Sequence, residues 1–400
     1  MRRAAYTIAV AAVLALPGAA AAQTPELEPT PAPGWAFTPT VTVGWLWDNN
    51  VALVNEGFEQ DIRGDHLLVI TPGGTLDYLG KYTTFRAGYG GTLRRHRDLG
   101  ALDSYDQRLR FGLTHRPTSR VTMFGRYGFS ELPTTEETEL NGVPFRRVGS
   151  QVHNVTGGAE ARLSKLTTLR ASYEFVDAAF DHTRILPTFV TGGRSHGFNA
   201  DLTRRLTERV SLGGLYEVRF ATIESQASAD EPLVFQIVGG TVGLQLAPHT
   251  SLSVAGGLST LNDKRLDETS VGPFARAGLT HALERAVFNT GYERAFVPTF
   301  GFGASAMTEQ AFASLLMPVA RNRTYIQSST TWRRNNPVIE AEPALQSFWV
   351  NTTVGYAVVR TVRIEGYYTV AWQDTRLAGG RVNRQRVGAQ VVLSAPMRIQ

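Results

Sequence analysis

Eleven arginines share one property: Arg86, Arg108, Arg110, Arg126, Arg162, Arg170, Arg219, Arg276, Arg363, Arg384 and Arg386 each lie opposite the apolar residues of an alternating segment. Fewer acids occupy the same faces, namely Glu160, Glu174, Asp201, Glu217 and Glu365. A guanidinium stays charged at any physiological pH and presents a fork of donors that suits carboxylate and phosphate groups. A wall carrying such groups in excess over carboxylates favours anions, as the arginine and lysine rings of anion pores do. The alternative is internal pairing, in which these arginines and the wall acids only satisfy a wet interior. The excess of arginine keeps the anion reading open.

Other chemistry is weakly represented. The eight histidines are scattered, and neither HExxH nor G-x-S-x-G occurs, so no enzyme is expected. His153 and His196 could meet acids across strands. Acidic runs, Glu56, Glu59, Asp61 and Asp65, then Glu131, Glu136, Glu137 and Glu139, read as solvated loops or as bridges through divalent cations to surface polysaccharide or lipid phosphates. None has the spacing of a calcium loop, so no metal site, cofactor or nucleic-acid partner is expected. The pairs Gly73-Gly74, Gly157-Gly158 and Gly239-Gly240 do not form a phosphate loop and suit close packing in a curved sheet.

The elements that position the arginines follow a period of two. In Thr361–Gln373, Val362, Ile364, Gly366, Tyr368, Val370 and Trp372 share one face, with Arg363, Glu365, Tyr367 and Gln373 on the other. That alternation is a strand and excludes an amphipathic helix. Val210, Leu212, Gly214, Tyr216, Val218 and Phe220 repeat it. Hairpins are expected near 66–93, 105–130, 150–179, 196–222, 233–260, 271–296, 305–333 and 345–373, with single strands at 35–47 and 383–395. The sum is about 18 antiparallel strands (16–18), joined by alternating short turns and long loops: a closed transmembrane β-barrel of the all-β class. Segments of this length cross a bilayer when tilted. Trp35, Trp45, Trp47, Tyr78, Trp332, Trp349 and Trp372 near segment ends suit interfacial girdles. The stretch 303–320 contains good helix formers and Pro318; the hairpin count makes it a strand.

Residues 1–22 have the charge of Arg2 and Arg3, a short apolar run and Ala20-Ala21-Ala22, the pattern of a secretory signal peptide. Residues 23–34 read as a proline-rich periplasmic tether and 35–400 as the barrel. The chain has no cysteine, and its formal charge of +5 falls to +3 without Arg2 and Arg3. The bacterial outer membrane is the expected location.

Val43-Gly44-Trp45-Leu46-Trp47-Asp48-Asn49-Asn50-Val51 and Thr71-Pro72-Gly73-Gly74-Thr75-Leu76-Asp77-Tyr78 resemble the opening of the β-barrel porin 2 family. The resemblance implies an outer-membrane barrel whose relatives are often linked with exopolysaccharide export. The last strand also resembles a barrel-assembly signal at Arg386, Gly388, Val391 and Leu393, although the chain ends Arg398-Ile399-Gln400 and not on an aromatic. Together these readings give a porin-like channel for small or polymeric hydrophilic solutes with a tilt toward anions, or a non-conducting structural or accessory component of exopolysaccharide export. The expected partners are outer-membrane lipids, the barrel-assembly machinery and exopolysaccharide or small anions.

Overall fold

A computed structural model describes residues 33–56, 63–137, 140–181, 190–224, 232–264, 267–283, 285–301, 305–319, 323–338, 344–375 and 380–399. The expected signal peptide and most of the tether lie outside them. Eighteen long strands form one antiparallel sheet: β1 (Gly34–Asp48), β2 (Asp65–Leu79), β3 (Thr83–His96), β4 (Ser104–His115), β5 (Val121–Leu132) and β6 (Ser150–Arg162) open it. They are followed by β7 (Thr167–Phe180), β8 (Gly193–Arg205), β9 (Val210–Ile223), β10 (Leu233–Ala247), β11 (Thr250–Asp263) and β12 (Glu268–Ala282). The remainder are β13 (Val287–Pro298), β14 (Ser305–Val319), β15 (Thr324–Pro337), β16 (Leu345–Val359), β17 (Val362–Thr375) and β18 (Arg381–Ser394). Each pairs with its neighbours in sequence, and β1 closes the ring on β18, Thr40 opposite Ser394 through Asp48 opposite Arg386. A three-residue β19 (Met397–Ile399) extends this closure along Trp35–Phe37 of β1. Closure leaves no free edge between the first and last long strands.

The expected parity holds along the wall. On β17, Ile364 and Tyr368 are exposed outward, whereas Glu365, Thr369, Ala371 and Gln373 are buried inward. Outward apolar residues continue around the ring: Trp45, Leu68, Leu113, Met123, Phe198, Leu212, Val254 and Leu393 are all exposed. An apolar exterior around a polar interior reverses a water-soluble sheet and is the arrangement of a membrane-spanning barrel. Trp35 packs at 4.8 Å from Tyr78 and 5.9 Å from Phe85 near the short-turn end. Within the stretch 303–320 the described residues, Ser305–Val319, form strand β14, so register against β13 and β15 prevails over local helix propensity.

Two expectations are corrected. Trp349 does not belong to an outer girdle: it sits opposite Ala371 on the inner face and packs against Phe145 at 6.4 Å. Glu136 and Glu137 are not a solvated loop, because Glu136 is fully buried inside the barrel.

Candidate functional site

The site is the lumen, and it has two levels. At the long-loop end, the β5–β6 connection turns inward and crosses to the opposite wall. Its short helical turn, Thr135–Glu137, delivers two adjacent carboxylates to arginines on three strands. Glu137 meets Arg108 of β4 at 2.9 Å, Arg386 of β18 at 3.0 Å and Arg94 of β3 at 3.4 Å. Glu136 pairs with Arg384 and, at 2.9 Å, with Arg386. Asp48 holds Arg384 at 2.5 Å, and Asp106 pairs with Arg94. Four arginines thus face four carboxylates in a largely dry network. Burial alone would raise the Glu137 pKa, but the four surrounding arginines outweigh it and hold the carboxyl well below its ordinary value.

The rest of this loop is fixed by hydrogen bonds that sequence separation hides. The Phe145 N–H donates to Gln373 Oε1 at 2.7 Å, and Gln373 Nε2 donates to the Val143 carbonyl at 3.1 Å. Arg333 donates to the Leu140 carbonyl at 3.0 Å. The β13–β14 connection reaches the same place, its Phe300 N–H donating to the Asn141 carbonyl at 2.8 Å. Phe300 then packs with Val143, Val148, Val152, Ala178, Phe180 and Val190. Gly142 has φ +74°, and a Cβ there would run into Thr299, so glycine is required where the two connections touch. Together they form a lid across the upper lumen.

Below the lid, the inner face of β3–β5 alternates arginine with glycine. Arg86 and Arg126 flank Gly112, and Arg110 sits between Gly88 and Gly128. Nothing lies within 4 Å of where a Cβ on Gly90 or Gly112 would point, so these arginines look into open lumen. Arg108 and Arg110 are two residues apart on one strand, about 7 Å along it. Arg110 and Arg126 are exposed, and neither has a carboxylate partner among the described residues. Arg162, at the short-turn end, is likewise exposed and without one. Arg170 lies over the Phe124 ring at 5.0 Å, opposite Glu160 and Asp201 across its two ladders.

The remaining predicted arginines are paired. Arg86 meets Asp77 at 2.5 Å, Arg219 meets Glu174 at 2.8 Å, and Arg276 bridges Glu217 at 2.8 Å and Glu293 at 2.7 Å. Arg363 lies 3.5 Å from Glu365, which also accepts from Tyr325 Oη at 2.5 Å and Gln390 Nε2 at 2.6 Å. Sequence reasoning missed Arg94, Asp48, Asp106 and Glu293 on the wall. Parity would have found Arg94, which is in register with Arg86 on the inner face of β3. Nothing local marked Glu136 and Glu137 as lumen groups.

Among the described residues neither His153, in register with Asp177, nor His196, in register with Phe175 and Phe220, forms an ion pair with an acid. Their Nδ1 atoms lie 3.0 Å from Tyr127 Oη and 2.8 Å from Tyr173 Oη, on the outer face. Of the residues resembling an assembly signal, Arg386 and Gly388 point inward, and Val391 and Leu393 are exposed outward.

The fold and site define a membrane-spanning β-barrel with an arginine-lined, lidded lumen. No protein-family model matches the chain, so membership of the β-barrel porin 2 family is not shown, and no curated protein matches it. Some solved structures are similar to this chain at low identity. The siderophore receptor PirA from Pseudomonas aeruginosa aligns at TM-score 0.46 and 10% identity over 92% of this chain and 81% of its own. OpdO from Pseudomonas aeruginosa aligns at TM-score 0.43 and 12% identity over 92% and 98%. OccAB2 from Acinetobacter baumannii aligns at TM-score 0.44 and 9% identity over 91% and 98%. Likeness at this level carries no functional argument.

Proposed function

We propose that this chain is an outer-membrane, porin-like channel for hydrophilic solutes that favours anions. The observation that carries the reading is the pair Arg110 and Arg126: exposed on the inner wall, framed by glycines and free of carboxylate partners among the described residues. Such groups attract anions along the wall without binding them in a closed cage, so a solute can both arrive and leave. Planar-bilayer recordings under asymmetric salt test it. The wild-type barrel is expected to give steady current with an anion-selective reversal potential, moved toward zero by Arg110→Ala with Arg126→Ala. An unchanged reversal potential would show that these arginines do not set selectivity.

A second reading has its own support. The lid spans the lumen with an apolar contact, Phe300 against Val143, that a freely conducting pore does not need. It favours a non-conducting accessory role, as in exopolysaccharide export. Absence of current from folded, reconstituted barrels would select it.

A further inference from the structure

Among the described residues, the wall breaks between β12 and β13. Strands β12 and β13 pair from Ala282 opposite Val287 only as far as Ala275 opposite Arg294. Above that point β12 continues alone with β11 to Glu268 opposite Asp263, and β13 continues alone with β14 to Pro298 opposite Ser305. The upper part of β13 has left the ring and turned inward. The Phe296 N–H donates at 3.0 Å to Ser259 Oγ, a group on the inner face of β11. Ala295 is packed with Leu215, Ile237, Ala255 and Phe274, and Phe296 with Leu233, Phe235 and Leu261.

Both sides of this break are apolar. Outside it, Val238, Leu258 and Val271 are 57%, 58% and 63% exposed, among the most exposed hydrophobic residues of the barrel. Inside it, between the polar groups of Glu217, Arg219, Ser259 and Arg276, the wall of β9–β12 carries the apolar side chains of Leu215, Leu233, Phe235, Ile237, Leu261 and Phe274. Phe296 and Met307 reach into the break from the lumen side, their ends 3.1 Å and 2.6 Å from where a Cβ on Gly272 would be. Glycine leaves room for them. An unpaired strand edge at a membrane-facing wall is costly, and Pro273 lessens that cost on the free stretch of β12 by lacking an N–H.

We propose that this seam is a lateral portal, through which a single-chain amphiphile of the long-chain fatty acid class passes between the lumen and the bilayer. Phe296 and Met307 would act as the leaf of the door, and the apolar side chains on both of its sides suit an acyl chain. The proposal goes beyond ion passage and stands whether or not the barrel conducts.

The chain has no native cysteine, so a single bimane label reports from one place. One label is put on Ile223→Cys, on the inner wall against the apolar cluster that holds Phe296, and another on Val271→Cys outside, in reconstituted full-length barrels. Stearate brominated at mid-chain should quench the inner label saturably. Gly272→Val, which fills the seam, should weaken that quenching at least threefold, and Phe296→Ala should strengthen it. Phosphatidylcholine with brominated chains should quench the outer label only. The portal is refuted if the inner label is not quenched, or if neither seam variant alters its quenching, which would mean the stearate arrives through the mouth. Equal quenching of the inner label by brominated phosphatidylcholine would overturn the single-chain assignment.

Discussion

Releasing the lid should change both how the barrel conducts and what it selects. The perturbation is Glu136→Gln with Glu137→Gln, which keeps side-chain volume and removes the two negative charges that the inward loop contributes. In the native network Arg94, Arg108, Arg384 and Arg386 face Asp48, Asp106, Glu136 and Glu137. After the change the four arginines face two carboxylates, and the wall gains a net charge of two. Arg384 is 6% exposed and Glu136 fully buried, so solvent screens this pair little. Removing one partner of a buried pair typically costs about 3–5 kcal/mol. Even with about half of that allotted to loop docking, the closed lid loses roughly tenfold or more in its equilibrium, since about 1.4 kcal/mol is a factor of ten. Planar-bilayer recording is the assay, with the wild type measured alongside. The expected result is larger or more frequently open conductance together with a reversal potential shifted further toward anions. A double variant that matches the wild type in both would show that the carboxylates do not hold the lid. An increase in conductance without a change in selectivity would show that the arginine quartet lies off the ion path.

Three more outcomes follow from named contacts. Because the Glu137 pKa lies below its ordinary value of 4.5 when folded, the stability it lends is fully present above that value and is lost only as pH falls through the lowered one; conductance should therefore stay constant from about pH 8 to pH 5, and a transition near neutrality would place the controlling group elsewhere. Gly142→Val should undo the contact with Thr299 and free the lid without touching the strands, read as faster proteolysis of the loop with unchanged heat-resistant migration of the barrel. Tyr325→Phe removes a buried hydrogen bond to Glu365 and should cost about 1.5–3 kcal/mol, lowering the thermal midpoint of unfolding; an unchanged midpoint would mean that Gln390 and Arg363 suffice.

Much of the architecture was legible from the chain. Period-two alternation, as in Thr361–Gln373, depends on residues two apart, so it survives in sequence and sets which side chains face lipid. The same parity placed Arg110 and Arg126 inward, and the alternation of short and long connections gave the strand number. Stretch 303–320 shows the limit of local signals: its helix formers mattered less than two flanking strands in register.

The lid and the seam were decided elsewhere. Glu136 finds Arg384 across 248 residues and Glu137 finds Arg386 across 249, and no local pattern encodes contacts at that separation. An acidic loop and a lumen clamp have the same composition; only closure of the ring brings the arginines of β3, β4 and β18 close enough to draw that loop inside. Likewise β13 alternates like its neighbours, and its inward turn lays Ala295 and Phe296 on apolar side chains of β9–β12 that sequence separation hides. Alternation fixed the wall, since each strand carries its own two faces, and long-range charge pairing and burial fixed what blocks and breaches it.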